Sequence, residues 1–125
     1  MALEHSTWHK PADIVRLKLW ILLVVVAACD RGNVAGGAQD GAAIFQSVCA
    51  TCHGPTGKPP EPMVARLGVR DLTAPQLRAK ITPALVEAQV RKGSQNKLMP
   101  AFEGALSDAQ IKAVAAYVAS PQFAH

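Results

Sequence analysis

Apolar residues along the chain fall into one unbroken run and several periodic stretches. Leu19 to Ala28 (LWILLVVVAA) is apolar throughout. Beyond it, Ile44, Phe45, Val48 and Cys52 recur at helical spacing, which predicts a helix from about Asp40, as N-cap, to Cys52. Gly54, Pro55 and Gly57 break that pattern. Lys58–Pro62 contains three prolines and is expected to be extended. A short helix is expected over Thr73–Ile81, with Thr73 and Gln76 at capping-box spacing and Leu77 and Ile81 on one face. Thr82 and Pro83 open a third helix that turns Leu85, Val86 and Val90 inward and stops at Gly93. Ser107 opens the last one: Gln110 completes a capping box, and Leu106 and Ile111 stand at hydrophobic-staple positions. Its inward stripe is Ile111, Val114, Ala115 and Val118, and Pro121 ends it. No stretch alternates as a strand does, so the expected fold is all-α, with about four short helices.

The apolar run of ten residues is too short to span a bilayer and suits a signal-peptide core, with Lys10, Arg16 and Lys18 as its basic flank. It ends in Val26-Ala27-Ala28-Cys29. These residues resemble the lipobox of bacterial lipoprotein precursors. That resemblance implies cleavage before Cys29 and a lipid on its thiol; an ordinary secretory signal or a retained anchor is the alternative. Asp30 after the cysteine resembles an inner-membrane retention signal. The small residues Asp30–Ala38 read as a flexible tether. The expected organisation is thus 1–28 signal peptide, 29–39 tether and 40–125 domain.

A domain of this size has little core of its own. Both tryptophans lie in the first 20 residues, which leaves Phe45, Phe102, Tyr117 and Phe123. Small domains of this kind often need a metal, cofactor or disulfide. The chain carries a net +4, but its basic residues are scattered, without the run or aromatic interleaving of a nucleic-acid surface.

The chemistry is concentrated at Cys49-Ala50-Thr51-Cys52-His53. C-x-x-C-H reads as a c-type haem attachment site. Residues three apart on one helical turn project together, as two thioether bonds to one haem require, and His53 follows as proximal iron ligand. A zinc site would need more Cys or His nearby. A dithiol redox pair would sit near a βαβ pattern. A backbone carbonyl within Lys58–Pro62 is expected to accept the free N–H of His53. Between the third and fourth helices, Met99-Pro100 places a thioether on a loop, since a residue before proline is biased away from helix. Methionine is a known sixth ligand to haem iron. Met63 is the second candidate. The bland reading of either is core filling.

Residues 40–120 resemble a class I cytochrome c domain. The N-terminal helix ending in Cys49–His53, the Met99-Pro100 loop and the C-terminal helix match in order. Gly41, Phe45 and Cys49 at intervals of four resemble that family's first helix, and Val114 and Tyr117 the apolar-aromatic pair of its last. The resemblance implies that these two helices cross closely at Gly41, around one covalently bound haem. It implies a single-electron carrier rather than an enzyme, facing redox partner proteins; the lipobox resemblance and Asp30 add a bacterial periplasm and a tie through Cys29 to a membrane, the inner one by preference. Lys58, Lys92 and Lys97 flank the loops expected near the haem and would steer an acidic partner. Two alternatives stand beside it: a haem-bearing subunit of a larger oxidoreductase, and a ligand-binding haem enzyme or sensor.

Overall fold

The computed structural model describes residues 33–124. The expected signal peptide, Cys29 and the first part of the expected tether lie outside the described residues. Five helical stretches follow one another, with no strand among the described residues beyond an isolated bridge between Glu103 and Leu106. None of the described helices is long and apolar enough to cross a membrane.

The first stretch begins where expected. The Asp40 side chain accepts from the Ala43 N–H and caps α1 (Gly41–Ile44). The helix then widens into a π turn over Phe45–Cys49, with the Ala50 N–H reaching back to the Phe45 carbonyl, before α2 (Ala50–His53). The apolar spacing that predicts one α-helix does not distinguish a widened turn. Such turns concentrate at functional sites, and this one ends on Cys49.

A helix not expected from the sequence follows. α3 (Glu61–Leu67) takes in Glu61 and Pro62, the last two residues of the Lys58–Pro62 stretch expected to be extended, while residues 58–60 lie outside any helix. Pro62 is accommodated because first-turn N–H groups have no intrahelical acceptor to lose. α4 (Pro75–Arg78) is shorter than the Thr73–Ile81 expectation, and Thr73 does not cap it. Its backbone N–H and hydroxyl both go to Asp71 Oδ1, at 2.8 and 2.6 Å. These bonds hold the Asp71 carboxyl below its ordinary pKa.

α5 (Pro83–Lys92) and α6 (Asp108–Ala119) carry the expected caps. Thr82 accepts from Leu85 N–H, and Ser107 and Gln110 form the reciprocal capping box. Val90 is buried on α5, but Leu85 is 59 % exposed. Val86 and Val90 lie four apart on one face, and Leu85 sits about 100° round the helix from Val86. Arg91 ties α5 to α6 through Asp108 at 2.7 Å, braced within α5 by Glu87 at 2.9 Å.

The core is Ile44, Phe45, Val90, Leu106, Ile111, Val114, Val118 and Phe123. α6 supplies its centre and packs on both α1 and α5. The closest approach is at Gly41. A Cβ there would stand 2.3 Å from the Ala113 carbonyl oxygen and 2.7 Å from Tyr117 Cβ, so the expected crossing is present. Phe45, Tyr117 and Phe123 pack as an aromatic trio, with centroids 5.0 to 6.0 Å apart. Phe123 comes from the 3-10 turn Pro121–Ala124, beyond the helix. Arg78 crosses from α4, donates to Val118 O at 2.6 Å and Ser120 O at 2.7 Å, and lies over the Phe123 ring. A cation thus meets the carbonyl end of α6, where the helix dipole favours it.

The described part of the expected tether is engaged rather than free. Val34 N–H donates to Ala105 O at 3.0 Å. Gln110, fully buried, accepts from Asn33 and donates to Gly36 O and Ala38 O at 3.2 and 2.6 Å.

The crossing predicts a steric test. In Gly41→Ala the added methyl has no room, and over-packing of this kind costs about 1–3 kcal/mol. The melting temperature should fall by roughly 5–20 °C for a domain of this size. Gly37→Ala, which meets nothing within 4 Å, should leave it unchanged. Calorimetry of the two variants reads the difference directly.

Candidate functional site

The local fold brings three of the expected site residues onto one short segment. Cys49 closes the π turn, and Cys52 and His53 sit on α2. Both thiols are free and half-buried. Burial, and then the charge of Cys52, pushes the Cys49 thiol up to about 11, so it is protonated at neutral pH.

His53 is partly enclosed, and burial lowers its pKa below the usual imidazole value. The neutral ring therefore dominates at pH 7, and that is the form that binds metals. Its Nδ1 is buried without a hydrogen-bond partner. The expectation that a Lys58–Pro62 carbonyl accepts from it is not met at that atom. The backbone that bears on the ring is that of Arg70, which raises the pKa against the effect of burial but leaves Nδ1 unpaired. The reason lies in the chain path, because α3 draws residues 61–67 into a helix and the segment after it returns to the imidazole.

The loop behind His53 is fixed from several sides. Gly54 adopts φ 75°, and a Cβ on it would collide with Lys58 O at 2.1 Å, so only glycine lets α2 end directly after His53. Gln46 Nε2 donates to Pro55 O at 2.7 Å, and Leu72 N–H to Gly57 O at 2.8 Å. The Phe123 ring sits against Gly57.

Met99 lies on the α5–α6 loop, outside any helix, and is half-buried. It borders the same core cluster as Cys49, together with Phe102. Its backbone is held at both ends: Met99 N–H donates to Ser94 Oγ at 3.0 Å, and Ser94 N–H donates to Met99 O at 2.9 Å. Phe102 N–H then donates to Val90 O at 3.0 Å, pinning the loop to α5. Met63 is half-buried on α3 rather than in an extended segment. Cys29 lies outside the described residues.

These residues fit a covalently held haem. Burial holds the half-buried imidazole in the neutral form that ligates iron. The ring stands beside two thiols at thioether spacing, in a small domain short of apolar mass. Among the described residues no group of three His, Cys, Asp or Glu side chains is arranged to hold a bare metal ion. Sequence reasoning missed Ser94, Arg70 and α3. Only the spacing of Ser94 and Met99, either side of a turn-forming Gln95-Asn96, hinted at the first.

No curated protein and no solved structure gives a match. Residues 36–118 match the family model described as cytochrome C oxidase, cbb3-type, subunit III. That match takes in the Gly41 crossing, Cys49–His53, the Met99 loop and nearly all of α6. The chain belongs to this family and carries a class I c-type cytochrome domain.

Proposed function

We propose that the chain is a membrane-tethered c-type cytochrome that passes single electrons in a bacterial periplasm. In this reading Cys49 and Cys52 hold one haem through thioethers, and His53 and Met99 are its axial ligands. The cytochrome c domain carries haem-based electron transfer. The observation that supports the residue roles is the half-buried imidazole of His53, on the same turn as two thiols at thioether spacing.

The bound haem supplies a one-electron couple between Fe(II) and Fe(III). What the protein contributes is the setting. Two protein ligands would fill both axial positions and leave no place for substrate. A thioether favours the ferrous state, as does a low-dielectric pocket. The Gly41 crossing and the Arg91–Asp108 ion pair between α5 and α6 hold the scaffold, so little reorganises when the charge changes. Cys29 would carry the lipid anchor, and the Asp30 after it favours the inner membrane.

A second reading is supported by the family description itself. The domain would be the haem-bearing subunit of a larger oxidoreductase, taking electrons from a donor protein and passing them to a catalytic partner. Co-purification of an oxidase from solubilised membranes separates the two.

Covalent attachment is checked first. Haem should survive acid-acetone extraction, and intact mass should show one haem per chain. Cys49→Ser or Cys52→Ser should sharply lower holoprotein yield, because the haem is part of the core. Complete extraction of the haem rules the attachment out.

The anchor has its own test. The mature protein should begin at Cys29 and partition into detergent, since two or more acyl chains give stable membrane residence. Cys29→Ala should release or misprocess it. A wild-type mass without lipid removes the anchor from the proposal.

Met99 decides between carrier and enzyme. The ferric protein should show a sulfur-to-iron charge-transfer band that Met99→Ala abolishes and Met63→Leu leaves unchanged. The potential of Met99→Ala should fall by a sizeable part of the about 0.8 V range that axial ligands span. Loss of the band in Met63→Leu instead would name the other methionine. A wild type that lacks the band and binds carbon monoxide readily is a ligand-binding enzyme or sensor.

A further inference from the structure

The α5–α6 loop spends an unusual share of its polar groups on one residue. Met99 has neither helix nor strand to satisfy its backbone, yet both its N–H and its carbonyl are bonded, and both bonds go to Ser94. The pair is reciprocal: the Ser94 hydroxyl oxygen accepts from Met99 N–H at 3.0 Å, and Ser94 N–H returns a bond to Met99 O at 2.9 Å. The hydroxyl is itself oriented, because its hydrogen goes to Asn96 Oδ1 at 2.6 Å, and the same oxygen accepts from Leu98 N–H at 3.2 Å. Lys97 N–H donates to Ser94 O at 3.0 Å with the residue in the left-handed region, φ 59°. On the other side Gly93 leaves no slack. A Cβ on it would stand 2.5 Å from Met99 O and 2.7 Å from the Pro100 carbonyl carbon.

We infer that Ser94 is the positioning residue of the distal ligand: its hydroxyl and N–H lock the Met99 backbone, and so set how often the thioether leaves the iron. The inference rests on Met99 being that ligand. A thioether is a neutral, weakly basic donor, so the loop that carries it decides whether the bond persists. The two bonds fix the Met99 backbone, and with it the position from which the thioether would reach the iron. Release of the ligand then requires the Ser94–Met99 pair to open first. A competing ligand reads this opening, because its apparent affinity scales with the fraction of molecules whose sixth position is open. Ser94→Ala removes one of the two reciprocal bonds and leaves the backbone-to-backbone one. Loss of one neutral hydrogen bond should raise the open fraction about five- to tenfold.

The test is imidazole titration of the ferric holoprotein, alongside its sulfur-to-iron band. Ser94→Ala should bind imidazole about five- to tenfold more tightly than wild type. Ser94→Thr keeps the hydroxyl and should restore the wild-type value. Asn96→Ala, at an exposed position, unorients the hydroxyl and should shift affinity in the same direction by less. Met99→Ala should bind imidazole far more tightly than either, and adding Ser94→Ala to it should change nothing further. A purely structural role for Ser94 would lower the melting temperature without moving imidazole affinity, and that result overturns the inference while Met99 stands. So does a Ser94→Ala effect that persists in the Met99→Ala background. If Met99→Ala alone leaves both the band and the imidazole affinity unchanged, the ligand assignment itself falls, and the role of Ser94 with it.

Discussion

Everything in this domain depends on the absence of one carbon atom. At Gly41 the first helix lies so close to α6 that a methyl group would enter the Ala113 carbonyl. That approach brings Phe45 against Tyr117 and Phe123 and places the π turn, with Cys49 at its end, at a fixed height above α6. Because Cys52 and His53 follow within the next helical turn, their positions follow from the crossing together with the loop fixed behind His53. The crossing is therefore both a packing contact and the origin from which the site is measured.

A second constraint is that α6 is clasped by polar groups at both of its own ends. Its N-terminal turn carries Gln110, whose buried amide gathers Asn33, Gly36 and Ala38. Its C-terminal carbonyls are gathered by Arg78. Each device satisfies polar groups that a domain this small would otherwise leave exposed or unpaired. Burying the Gln110 amide, and half-burying the Arg78 guanidinium, is tolerable because their hydrogen bonds are made, and removing a partner leaves the other unsatisfied. The polar clasps thus do for the ends of α6 what Ile111, Val114 and Val118 do for its middle.

What was legible in the sequence follows from how local each signal is. Caps are local, so Asp40, Thr82, Ser107 and Gln110 could be assigned from neighbours three residues away. The C-x-x-C-H spacing is local too, and so is the Met-Pro pair. Gly41 was legible only through the family resemblance, since its partner lies some seventy residues on. The features that were missed all trade on alternatives with equal local patterns. A π turn keeps the apolar spacing of an α-helix. Pro60-Glu61-Pro62 reads as a breaker, yet the same residues form a tolerated first turn. Thr73 has capping-box spacing, but Asp71 takes its hydroxyl. Leu85 shares the helix with Val86 and Val90 but not their face. Arg78 and Phe123 act across the fold, where no spacing rule reaches.

The two proposed iron ligands are held by opposite means, and the difference matters for function. His53 ends a helix that itself hangs from the Gly41 crossing, and Gly54 turns the chain away at once. To displace it, the core must move. Met99 is held by a loop, through two hydrogen bonds to a single serine and the tight face of Gly93. To displace it, only residues 93–101 must move. Opening free energies in a folded protein are lowest where few apolar contacts are broken. The proximal side is thus built on packing and the distal side on hydrogen bonds. Such a division keeps the cofactor in place through any excursion of the loop, while the potential remains adjustable by a few polar side chains that the core does not need.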